Sequence, residues 1–158
     1  MAIQVGDSIP TGSFKVMGAE GPAVVETSEI FDGKKVVMFA VPGAFTPGCS
    51  VTHLPGFIVN ADKIKAKGVD SIVCLSVNDA FVMGAWGKAQ NAEEIVMAAD
   101  GSGVYTKALD LELDLTGGGL GIRSKRYAMI VDNGKVTYLG VDTKDIEKSS
   151  ADAVLAEL

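Results

Sequence analysis

The run Val36-Val37-Met38-Phe39-Ala40-Val41 constrains this chain most. Lys34-Lys35 precede it and Pro42-Gly43 end it. Strict alternation of apolar and polar residues would mark a strand with one wet face. A continuous apolar run marks a strand covered on both faces. Lys34 to Val41 is therefore predicted as a central strand, and the chain must supply layers for both sides of its sheet. Val69 to Val77 is a second run of this kind and predicts a second buried strand.

The remaining elements fit around these two. Phe14-Lys15-Val16-Met17 alternates, and Ala23 to Thr27 pairs back on it across the turn cluster Gly18 to Pro22. Ser28 to Gly33 reads as a short polar-bounded turn. Leu54, Phe57, Ile58, Ala61 and Ile64 recur at helical spacing, with Pro55 expected to kink the helix and Gly68 to end it. Asn78 or Asp79 caps a helix predicted to carry Phe81, Val82, Ala85 and Trp86 on one face. Glu94 to Ala99 is a third strand, Gly101 to Leu109 a short helix or turn, and Leu115 to Ser124 a glycine-rich connection. Arg126 to Val131 and Lys135 to Val141 form a hairpin about Asp132-Asn133-Gly134. A last helix opens at Ser149, with Asp152 in a capping-box-like position. Its apolar face is Ala151, Val154, Leu155 and Leu158. The order is hairpin, β-α-β-α-β, then β-β-α. That predicts an α/β, thioredoxin-like fold with an N-terminal β-hairpin and a central mixed sheet flanked by helices.

At 158 residues one domain, 1–158, is expected. The net charge of -6 argues against a nucleic-acid surface, which needs a basic face. The apolar run before Pro42 is too short to cross a bilayer, so no membrane partner is expected. Met1 to Asp7 lacks a basic region followed by an apolar core, and the expected location is cytoplasmic. Two cysteines, Cys49 and Cys74, are too few for a four-cysteine metal framework. In a reducing compartment they are expected free.

Cys49 follows the buried strand across Pro42-Gly43-Ala44-Phe45-Thr46-Pro47-Gly48. Thr46-Pro47 is a helix-start signature, with Thr as N-cap and Pro at the first helical position. Cys49 then lies in the first turn, where free N–H groups and the helix dipole favour a sulfur anion. Ionisation alone does not make a fast nucleophile. An ordinary thiol is roughly 3% ionised at pH 7, so lowering its pKa to about 6 raises the anion about 30-fold. Nucleophilicity falls with pKa on a slope of about 0.4–0.5, which returns about 10-fold of that. The rest must come from polarising and aligning the reaction partner. A hydroxyl at Thr46 and a fixed cation, Arg123 or Arg126, are the candidates.

Pro42 to Cys49 matches the peroxiredoxin pattern of Pro, three residues, Thr, two residues, Cys. The continuation Ser50-Val51-Thr52-His53-Leu54-Pro55-Gly56-Phe57 resembles the type II, or atypical fifth-class, peroxiredoxins. So do Asp79 to Met83, Ala85 to Lys88 and Gly119 to Ala128, and the resemblance covers nearly the whole chain. It implies that Cys49 attacks a hydroperoxide, such as hydrogen peroxide or a small alkyl hydroperoxide, and becomes a sulfenic acid. It implies that Thr46 hydrogen-bonds thiolate and peroxide, that Pro42 shields the pocket, and that Arg126, before the strand-opening Tyr127, is the catalytic arginine. Arg123 is the second choice for that role and could instead wall the pocket. Gly48 and Phe45 are candidate substrate-pocket residues, Phe45 being either wall or subunit contact. A homodimer is implied, and no metal, haem or flavin cofactor.

Some members of the class carry a resolving cysteine near the C-terminus, and Ala151 to Leu158 contains none. The sulfenic acid must then meet Cys74 or an external thiol. Cys74 lies within a buried strand and is expected to be a packing residue. Glutathione or glutaredoxin is the favoured external reductant, with thioredoxin the alternative. His53 is expected to be a hydrogen-bonded histidine near the pocket, rather than half of a Cys–His hydrolase dyad or a metal site. Gly117-Gly118-Gly119 lacks the Lys-Ser/Thr pair of a phosphate loop and reads as a connection. Trp86 and Phe81 are expected as core or dimer contacts. A redox sensor, in which Cys49 oxidation signals rather than turns over, is the alternative of a different class.

Overall fold

The computed structural model describes residues 2–158. Its strands are β1 (Ser13–Gly18), β2 (Gly21–Glu26), β3 (Lys35–Val41), β4 (Ser71–Ser76), β5 (Val96–Ala99), β6 (Glu112–Leu115), β7 (Gly121–Ser124), β8 (Arg126–Asp132) and β9 (Lys135–Asp142). Its helices are α1 (Thr27–Phe31), α2 (Leu54–Val59), α3 (Ala61–Ala66), α4 (Ala80–Ala89), α5 (Val104–Leu109) and α6 (Ala151–Ala156). Seven strands form one mixed sheet in the order β2-β1-β5-β4-β3-β8-β9. The expected thioredoxin-like architecture is what the chain adopts.

β3 lies inside the sheet, parallel to β4 and antiparallel to β8. Successive side chains of a strand point to opposite faces. Val37, Phe39 and Val41 therefore join one buried cluster, with Cys49, Leu54, Phe57, Cys74 and Trp86. Val36, Met38 and Ala40 join another, with Phe14, Phe31, Tyr105 and Tyr127. Phe39 stacks on Phe57 at a centroid distance of 4.0 Å, which anchors the helical segment after Cys49 to the strand before it.

The hairpin between β8 and β9 forms as predicted. Asn133 (φ 48°) and Gly134 (φ 79°) both take the left-handed backbone that a two-residue turn of this twist requires. Asp79, not Asn78, caps α4, its Oδ1 accepting from Val82 N–H at 2.8 Å.

Five expectations need correction. Ser28 to Gly33 is not only a turn, because α1 occupies Thr27–Phe31 and buries Ile30 and Phe31. The kink expected at Pro55 is replaced by a π-helical turn, Cys49–His53, followed by α2. Pro55 cannot donate to the carbonyl four residues back and its ring crowds that turn, so the helix widens upstream and Leu54 N–H reaches the Cys49 carbonyl. The buried face of α4 is Ala80, Met83 and Trp86, whereas Phe81 is 66% exposed. The connection expected at 115–124 is mostly a second hairpin, β6 with β7, closed by a 3-10 turn. The cap of α6 is Ser150, whose Oγ accepts from Ala153 N–H at 3.1 Å. Ser149 is fully buried and bonded elsewhere.

Candidate functional site

The site lies where β3 ends. Pro42 to Thr46 form the loop, and Pro47-Gly48 begin a helical turn that carries Cys49. Thr46 stands at the N-cap position, and its carbonyl accepts from Ser50 N–H at 2.9 Å. Its hydroxyl does something other than the sequence suggests. Thr46 Oγ1 donates to the Gly43 carbonyl at 2.6 Å, so its proton is spent within the loop and its lone pairs are what it offers outward. Asn78 Oδ1 ties the same loop to β4 by accepting from Ala44 N–H at 3.0 Å and Ser76 Oγ at 2.6 Å.

Arg126 opens β8 on the face that Ala128 and Ile130 share with Cys49. Its Nη2 donates to Cys49 Sγ at 3.3 Å. Gly48 makes room for this approach, since a Cβ there would lie 3.3 Å from Arg126 Nη2. Arg123 does not reach the sulfur. Its Nε donates to the Leu120 carbonyl at 2.9 Å and its Nη1 to the Pro42 carbonyl at 3.3 Å. Arg123 therefore clamps the β6–β7 hairpin to the Pro42 loop. Between the two arginines the geometry selects Arg126 as the cation beside the thiol.

His53 is buried beside them. Its Nε2 lies 2.8 Å from the Ser149 carbonyl, and its Nδ1 lies 2.9 Å from Arg126 Nη1. A carbonyl can only accept, so Nε2 carries the proton and the Nδ1 lone pair receives the guanidinium N–H. Both ring nitrogens are occupied, which leaves none for the Cys–His hydrolase dyad. Burial pushes the His53 pKa down to about 4. The Ser149 bond raises it and the Arg126 charge lowers it. Among the described residues no group of three or more His, Cys, Asp or Glu is placed to hold a metal.

The pKa of His53 gives a stability prediction with a definite sign. An unfolded histidine takes up a proton near pH 6.5, while folded His53 resists it until about pH 4. Its contribution is complete above about pH 6.5 and is lost as pH falls from there to about 4. The loss is about 3 kcal/mol at most. Urea midpoints at pH 7.5 and pH 4.5 measure it. The drop should be clearly smaller in His53→Gln, and an equal drop in both proteins would refute the assignment.

Cys74 sits in β4 opposite Phe39, fully buried and unpaired, in the same apolar cluster as Cys49. Burial pushes its thiol pKa well up, and the neighbouring Cys49 charge adds to this. Phe45, at φ 63°, holds a left-handed conformation unusual for an aromatic residue. It is 56% exposed and leans toward Trp86 at a centroid distance of 6.4 Å. Trp86 itself is core, and its Nε1–H donates to Ser50 Oγ at 3.0 Å. Pro42 is half-buried over the end of β3. Asp142 and Ser149, which hold His53 from behind, were not legible as site residues. Nothing marked them beyond a strand-terminal acid and an apparent cap.

The redoxin family model matches residues 4–155. Peroxiredoxin-2D of Arabidopsis thaliana is 49% identical over 159 aligned residues, which cover 99% of this chain and 98% of that protein. The chloroplastic peroxiredoxin-2E of the same plant is 43% identical over 99% of this chain and 70% of its own length. Among solved structures, reduced Prx3 of Vibrio vulnificus in complex with hydrogen peroxide superposes with a TM-score of 0.94. It is 57% identical, and the match covers 98% of each chain.

Proposed function

Since the chain belongs to the redoxin family, and within it to the type II peroxiredoxins, we propose that it reduces hydrogen peroxide and small alkyl hydroperoxides at Cys49 and is recycled by glutathione or glutaredoxin. A thiol-dependent peroxidase is what its relatives make of this fold. The observation that carries the residue assignment is the 3.3 Å bond from Arg126 Nη2 to Cys49 Sγ.

The Cys49 sulfur anion attacks the hydroxyl oxygen of the hydroperoxide. An S–O bond forms as the O–O bond breaks, leaving Cys49 as a sulfenic acid and the peroxide reduced. The departing oxygen takes a proton from solvent and leaves as alcohol, or as water from hydrogen peroxide. Arg126 holds the sulfur by one N–H and is steadied by His53 on another. Its remaining donors face the oxygens on which charge develops. The lone pairs of Thr46 Oγ1 accept the peroxide O–H. Pro42, Gly48 and Phe45 bound the pocket.

An external thiol then attacks the sulfenic sulfur, releasing water and forming a mixed disulfide, which a second thiol reduces. A buried thiol kept protonated is a poor nucleophile, which supports an external reductant over Cys74. Cys74→Ser is expected to keep peroxide turnover with glutathione and glutaredoxin unchanged. Loss of turnover in a folded Cys74→Ser protein would make Cys74 the resolving residue. Thioredoxin, tested beside the other donors, decides the reductant.

Adding one equivalent of peroxide to reduced protein and trapping sulfenic acid tests the central claim. A Cys49 adduct is expected, and its absence would overturn it. A sensor would give the same adduct but no steady-state recycling with any donor.

The reading includes a homodimer, supported by the exposed large apolar side chains Phe45, Phe81 and Val104. A monomeric sedimentation coefficient would refute it. It also includes a cytoplasmic setting, in keeping with two free cysteines. Fractionation of the source cells tests that.

A further inference from the structure

The loop 143–150, between β9 and α6, is tied down by one carboxylate. Asp142, the last residue of β9, accepts through Oδ2 from Glu147 N–H at 2.9 Å, Ser149 N–H at 2.8 Å and Ser149 Oγ at 2.6 Å. Its Oδ1 accepts from Lys148 N–H at 3.1 Å. Tyr138 Oη donates to the Lys148 carbonyl at 2.6 Å. The loop presses on the strand at Gly140, where a Cβ would overlap the Lys148 carbonyl oxygen. Three residues of β9 thus fix the Lys148-Ser149 backbone. The Ser149 carbonyl then accepts from His53 Nε2–H at 2.8 Å.

We propose that Asp142, Ser149 and His53 form a positioning relay that sets the direction in which Arg126 presents its guanidinium to Cys49. The hydrogen bond to the sulfur comes from Arg126, and the three are argued to act through it. The logic is one of hydrogen-bond polarity. The Ser149 carbonyl forces the proton onto Nε2, and that leaves Nδ1 as an acceptor for Arg126 Nη1. With the carbonyl displaced, the ring is free to place its proton on Nδ1. In that tautomer two donors face each other, which turns the guanidinium away, and only the Arg126 bond is left to oppose it. Arg126 has five N–H donors, and its bonds to His53 and Cys49 fix the fork in one orientation. The loop on the surface and the thiol in the core are therefore coupled through a single imidazole.

This inference rests on Cys49 being the peroxide-reacting thiol. The experiment therefore uses two reagents on the reduced full-length protein. One is hydrogen peroxide in single turnover, and the other is iodoacetamide, which reports the reactivity of Cys49 without peroxide. His53→Leu is expected to lower the peroxide rate by about 10–100-fold, the usual cost of a misaimed catalytic group. His53→Gln, with a donor and an acceptor in one planar amide, should recover most of that. Asp142→Asn and Gly140→Ala, both remote from the sulfur, should each lower the same rate several-fold. Iodoacetamide alkylation should fall in the same order.

A merely structural role would lower urea midpoints while leaving the rates of the folded variants at the wild-type value, with Leu and Gln alike at position 53. That result would overturn the relay. If His53→Leu does not fold, Asp142→Asn decides, and an unchanged peroxide rate there also overturns it. A wild-type protein that alkylates readily but ignores peroxide would instead remove the peroxidase reading. The alkylation series would then judge the relay by itself.

Discussion

Cys49→Ser is expected to bring peroxide consumption down to the uncatalysed rate while leaving the fold in place. Serine keeps the shape of the side chain and loses both properties the chemistry needs. Its hydroxyl is not ionised near neutral pH, and oxygen has no counterpart of the sulfenic state. The position is fully buried in an apolar cluster, so a hydroxyl there must be bonded or costs about 1–3 kcal/mol. Arg126 Nη2, 3.3 Å from the sulfur, is a ready donor to its oxygen. The variant should therefore fold with a modestly lower urea midpoint. Following peroxide directly, with glutathione and glutaredoxin in excess, makes the measurement. Residual turnover above background would move the chemistry to Cys74 and defeat the assignment.

Arg126→Lys should slow single-turnover oxidation of Cys49 by about 10²–10³-fold, the range for loss of one preorganised donor to a developing charge. The change keeps the positive charge, so it separates charge from geometry. A lysine ammonium is a single point with rotating donors on a flexible stem. It can approach the sulfur or His53 Nδ1, and it cannot hold the fixed fork that spans both. Affinity for the reductant should be little altered, because the loss falls on the oxidation step. A variant that oxidised at the wild-type rate would show that charge alone suffices. The specific fork at Arg126 would then have no catalytic role.

The parts of this molecule written in local patterns could be read without its structure. The unbroken apolar run of β3 announced a strand covered on both faces, and Asn133-Gly134 announced its hairpin because few other pairs accept two positive φ values. The sequence around Cys49 marked it as the candidate nucleophile, and the structure sets Arg126 beside it. Pro55 signalled a disturbance in the helix without saying whether the backbone would bend or widen, since both relieve the same clash. Phe81 was misplaced because helical periodicity finds a stripe but not which edge of it meets the sheet. Choosing between Ser149 and Ser150 as the cap of α6 needed Asp142, which claims Ser149 first. The contact between Arg126 and His53 spans 73 residues, and no local pattern encodes it. Thr46 stands at the expected N-cap position, and that its hydroxyl donates to the Gly43 carbonyl turns on one loop carbonyl that no sequence pattern marks.

The strand order also sets when the thiol becomes what it is. Cys49 precedes Arg126 by 77 residues, which at about 5–20 residues per second is roughly 4–15 s of synthesis. Throughout that interval β3 has no β8 beside it, and no guanidinium exists to claim the sulfur. Ser149, which aims His53, leaves the ribosome later still. A growing chain therefore carries Cys49 without the arginine on which the proposed peroxide chemistry depends. On the proposed mechanism, a product that stops before Arg126 is expected to react with peroxide no faster than an ordinary thiol.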